Sequence, residues 1–201
     1  MSDPECGYKK NWTPIDSIAR CLASLFLFFL AFASAAEEIS EPEKAAMLAL
    51  PWLKFDQTFG SGWRVLFARK QYLQAAELVE VYLRRHDELI ARERAVSHMH
   101  AAQNFARAGR TEAALAHLDK ASISPGTKNM SEDWNELVIS MRAFLIGDRD
   151  GLVASKRRVS AMTSPAFPDN ADELLRHFGK LYGIWWDEDK PTNRLRRSNV
   201  G

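Results

Sequence analysis

Cysteine is nearly absent from this 201-residue chain, and its two copies, Cys6 and Cys21, lie before or at the start of its longest apolar run. If that run is a removable leader, the rest of the chain holds no thiol. Disulfides and cysteine nucleophiles are then excluded, which suits an oxidising exterior compartment without proving one. Charge of one sign is also missing: 27 basic residues face 26 acidic ones, a net of +1, so nothing in bulk favours nucleic acid or an anionic membrane. Runs of β-branched residues are few and helix formers dominate, so an all-α fold is expected. No nucleophile elbow, phosphate loop or zinc-protease motif occurs, and neither a catalytic residue nor a cofactor is assigned. What the chain does have is apolar mass: 46% of its residues, enough for a core burying roughly 70% of the unfolded surface.

The apolar run spans residues 21–36, CLASLFLFFLAFASAA, preceded by Arg20. It is short of the roughly 20 residues a spanning helix needs, and it ends in small residues, Ala33, Ser34 and Ala35, of the kind a signal peptidase accepts. Residues 1–35 are therefore expected to be a signal peptide, cleaved after Ala35 or one residue on, and the protein to be periplasmic or secreted. The alternative is an uncleaved membrane anchor over 21–36. Cys21 stands at the start of the run, whereas a lipidated cysteine follows it. Before the run, Lys9, Lys10 and Arg20 are offset by Asp3, Glu5 and Asp16, whereas signals are normally basic there. That imbalance suggests translation starting nearer Ile15 or Ile18.

The rest of the chain is organised around residues 95–121, AVSHMHAAQNFARAGRTEAALAHLDKA. Ala91, Ala95, Met99, Ala102 and Phe105 recur at spacings of three and four, one face of a helix. Gly109 suits the left-handed turn that closes it. Thr111 and Glu112 open a second helix, with its stripe at Ala114, Leu115, Leu118 and Ala121. Neither helix is long enough to be stable alone, so each needs the other and a further unit stacked on the pair.

Ala102, Phe105, Gly109, Ala114, Leu118 and Ala121 resemble the tetratricopeptide repeat, a helical hairpin of about 34 residues. His98 stands where the repeat usually has Trp, and Thr111 where it has a second aromatic. The resemblance implies a short right-handed stack of about three antiparallel helical hairpins with a C-terminal capping helix, over residues 36–186. It also implies a concave groove holding a peptide or helix of a protein partner. Carried onto this chain, the groove positions are Val96, Met99, Gln103, Ala106 and Arg107, with Leu137, Met141 and Phe144 from the third unit. Met99, Gln103, Arg107 and Met141 are the candidate binding residues; the same apolar positions serve equally as core.

Around the central unit, a helix is expected from about Pro42 to Pro51, and a truncated hairpin over 63–83 with its turn near Lys70. Residues 134–145 carry a third first-helix stripe, Trp134, Leu137, Val138, Met141, Phe144 and Leu145, ended by Gly147; Asp148 or Asp150 caps its partner, which carries Leu152, Val159 and Met162. Asn170 with Glu173 three on is expected to be the capping pair of a last helix bearing Leu174, Leu175, Phe178 and Leu181. Residues 187–201 read as a disordered polar tail.

The least repeat-like segment is WLKFDQTFGSGWR, residues 52–64. In one reading Asp56, Gln57 and Arg64 form a polar site around a glycine turn, serving a small-ligand-binding protein or a hydrolytic enzyme. In the other, Gly60 and Gly62 turn the chain while Trp52, Phe55, Phe59 and Trp63 cap the stack. His98 and His100 invite a metal reading, but residues two apart on a helix point roughly 200° apart and cannot share one ion, so no metal site is assigned.

Overall fold

The computed structural model describes residues 39–124, 130, 132–163 and 165–184. The chain divides into two compact units, Met1–Ile39 and Ser40–Gly201, and of the first only Ile39 is described. The expected signal peptide and the expected polar tail lie outside the described residues, as do Trp185 and Trp186. Among the described residues there is no strand, and no helix is long and apolar enough to cross a membrane.

Helix α1, Glu41–Leu48, starts where Ser40 Oγ accepts the Glu43 N–H at 3.3 Å and where Pro42 loses no helical hydrogen bond. A single π-helical turn, Leu53–Gln57, follows Pro51. Next come α2, Trp63–Ala68, and α3, Tyr72–Arg85, joined through Lys70 in the left-handed region at φ 59°. Helix α4, Ala91–Arg107, is the longest described; Gly109 at φ 72° then turns the chain into α5, Thr111–Ala121. Gly147 at φ 75° makes the same reversal between α6, Trp134–Ile146, and α7, Arg149–Ser160, where Asp148 Oδ1 caps the Gly151 N–H at 2.8 Å.

Packing follows chain order: α2 with α3, α3 with α4, α4 with α5, α5 with α6, and α6 with α7. The core is the sum of the apolar stripes. Ala95, Met99, Ala102 and Phe105 of α4 are buried, and they meet Ala114, Leu118 and Ala121 of α5, each 0% exposed. The alanines let α4 and α5 approach closely, so the hairpin closes without large voids. Helix α5 packs on both α4 and α6.

The last helix departs from its expected form. It is α8, Asn170–Arg176, with Asp169 as its N-cap and no side-chain cap bond, so Asn170 and Glu173 do not form a capping pair. Gly179 at φ 87° ends that direction before Leu181, which is 71% exposed. Helix α8 packs on both α6 and α7.

Candidate functional site

Pro51 lacks an N–H, and its carbonyl accepts from both Lys54 and Phe55, at 2.8 and 3.0 Å, which starts the π-turn. The wide turn sends Phe55 and Asp56 inward together. Phe55 stacks on Tyr82 of α3 with centroids 3.7 Å apart and is 0% exposed. The chain then doubles back so tightly at Gly62, φ 53°, that a β-carbon there would sit 2.0 Å from the Phe55 carbonyl oxygen. Only glycine fits, and this close approach brings Trp63 and Arg64 against Asp56.

Asp56 is 0% exposed and surrounded by donors. Its carboxylate accepts from Trp63 Nε1 at 3.1 Å, from the Gln57 amide, from Ser97 Oγ at 3.4 Å, and from His100 Nδ1 at 2.9 and 3.1 Å. Ser97 is in turn oriented by Trp52 Nε1 at 3.0 Å, and Arg64 Nε donates to the Asp56 carbonyl at 2.7 Å. Burial pushes the carboxyl upward, but the charge of His100 and the bonds from His100, Gln57 and Trp63 outweigh it, and the group ends below its usual 3.8. The anion is thus held by the fold. With Nδ1–H committed to Asp56, His100 presents Nε2 as its remaining nitrogen.

His100 lies at the edge of a cleft of about 300 Å³. One wall is a single face of α4, Arg92, Val96, Met99, His100 and Gln103, with Gln57 beside it; the other is Met130, Trp134, Leu137 and Phe167. Trp134 is fixed by its Nε1 bond to the Ala121 carbonyl at 2.9 Å, and Phe167 by its backbone N–H, which donates to the buried Asp133 carboxylate. Arg92 Nε is buried without a hydrogen-bond partner, and its guanidinium stands 5.9 Å from the Trp52 ring. A histidine held by a carboxylate can accept or donate a proton.

The structure brings together residues that the sequence treated as two sites. Met99, Gln103 and Gln57 line one cleft, with Val96 and Leu137, and Asp56 stands directly behind it. Met99 forms its floor at 2% exposure. Arg107 is elsewhere: 9% exposed, between the Phe67 and Tyr182 rings at 5.1 and 5.3 Å, it lines a second cavity of about 500 Å³ with Ala106 and Phe144. Met141 is 2% exposed and lines neither cavity. Arg64 lies over Trp63 at 4.6 Å and also lines neither. Of the four aromatics expected to cap the stack, Trp52, Phe55 and Trp63 are buried and Phe59 is 89% exposed.

No family model, no curated protein and no solved structure matches the chain.

The histidines flanking Met99 serve different partners. His98 Nδ1 lies 2.9 Å from His117 Nδ1 on α5, and His117 Nε2 lies 3.0 Å from Glu80 on α3. Among the described residues no group of three metal-ligating side chains converges. Nothing in the residue pattern pointed to a meeting of His100 and Asp56, 44 residues apart. The available signals were an aspartate in an aromatic-rich turn and a histidine on a helix face, each ordinary by itself.

Proposed function

We propose that this protein is an exported, non-enzymatic interaction module that holds one segment of a protein partner in the cleft between α4 and α6. In this reading its helix pairs form a short tetratricopeptide-like right-handed stack, and residues 1–35 direct export and are removed. The observation that carries the proposal is the composition of the cleft: one face each from the first helices of two successive pairs, apolar in the middle, with Gln57, Arg92, His100 and Gln103 for polar contacts. A preformed recess lined by aromatics with a few polar groups is how proteins commonly hold a ligand.

Gln103 is half-buried on that lining and makes a clean test. Panning the purified chain against displayed random peptides should enrich a defined motif. Gln103→Trp, which fills the recess, should abolish the enrichment while leaving the helical signal and melting temperature unchanged. Absence of enrichment, or enrichment indifferent to Gln103→Trp, contradicts the proposal.

A second reading, a hydrolytic enzyme acting on a small ligand, is favoured by one observation, the imidazole of His100 fixed by Asp56 at the cleft edge. There His100 would act as a general base on water. Turnover of an ester or amide panel lost in His100→Gln, with no peptide motif recovered, would select this reading over the first.

A further inference from the structure

Taking the cleft as a peptide groove, we propose that it selects a peptide with an internal Asp or Glu seated at Arg92 and a large apolar residue about two positions away against Trp134 and Leu137. Among the described lining residues Arg92 and His100 are the basic ones, none is a carboxylate, and His100 is already paired with the buried Asp56. The other arginines of this region are engaged: Arg94 donates to the His86, Asp87 and Leu89 carbonyls, and Arg142 pairs with Asp119. Among the described residues the Arg92 Nε–H has no acceptor. Arg92 is only partly buried and lines the cleft, and a carboxylate is the partner a guanidinium holds best.

Spacing along α4 sets the register. Arg92 and Gln103 are eleven residues apart, so the lined face runs about 16 Å, the length of roughly five extended residues. Val96 and Met99, which bracket the apolar middle, lie about 6 to 10 Å from Arg92 along the axis, or two to three extended residues. The recess of about 300 Å³ then takes one large side chain, with His100 and Gln103 on the same lining to meet the peptide backbone as it passes. The occupant is thus short, extended, acidic at one end and apolar at its centre.

Peptides displayed as internal fusions, which carry no free C-terminus, should yield an acidic residue two or three positions from an aromatic or aliphatic one. Synthetic versions with amidated ends are then titrated by fluorescence anisotropy. Replacing the acid by its amide in the peptide, or Arg92→Gln in the protein, should each weaken binding roughly tenfold, and the two losses should not add. Arg92→Glu should redirect selection towards Lys or Arg at the same position, a result that a purely structural Arg92 does not produce. An enriched apolar motif without an acid overturns this inference and leaves the groove standing. Binding that needs a free terminal carboxylate instead of the internal acid also overturns it. No motif with either protein removes the groove and the inference together.

Discussion

Asp56 is the residue on which the candidate site depends, because removing its charge strands several donors at once. In Asp56→Asn the shape is kept, yet His100 and Trp63 lose the anion that accepts from them, and the new amide adds donors where none are wanted. Breaking a buried charged pair on one side costs about 3 kcal/mol or more, so the urea midpoint should fall well below that of the parent. A shift under about 1 kcal/mol would mean that Asp56 is more hydrated than its burial implies. This residue also shows where sequence reading stops. Asp56, Gln57 and Arg64 are recognisable as a polar group in an aromatic turn, and they do assemble; their assembly closes on His100, which local periodicity cannot reveal. Phe59 shares the turn with three buried aromatics and still points to solvent, because Gly60 and Gly62 redirect the chain around it.

Helices were largely legible because each had to bury a stripe. The stripes of α4 and α5 are buried as the spacing of alanines and leucines demands, and Gly109 and Gly147 adopt the left-handed turns their positions called for. Arg107 was misplaced for an equally physical reason. It shares a face with Met99, but eight residues at 1.5 Å each carry it about 12 Å along α4, into the neighbourhood of Tyr182. Between the elements, the His98, His117 and Glu80 chain ties α4, α5 and α3 together and makes their packing sensitive to acid. Burial, with the charges of His117, Lys120 and Arg94, pushes His98 down to about 4, and burial also lowers His117 against the pull of Glu80. Between pH 6.5 and 4 the unfolded chain takes up protons that the folded chain refuses, so stability falls as pH drops through that window. Urea midpoints at pH 7, 5.5 and 4.5 should decline in that order, and His98→Gln should flatten the decline. Asp56 acts lower: its contribution is whole above 3.8 and is lost as pH falls through its depressed value. A midpoint constant from pH 7 to 4.5 contradicts the buried histidine pair.

At the scale of the whole molecule, helix pairs packed in chain order give one chain surface to which distant residues contribute, and the cleft is the product: α4 supplies one wall, α6 and Phe167 the other. The claim that this cleft is occupied in the cell is tested most directly by placing a photo-crosslinking amino acid at Gln103 in the full-length chain, with the exposed Arg149 on α7 as the control position, and irradiating the native cells. The account predicts one dominant protein adduct from Gln103, absent from Arg149, with the bait's N-terminus beginning at Ala36 or Glu37. No adduct at Gln103, or the same adducts from both positions, would contradict it.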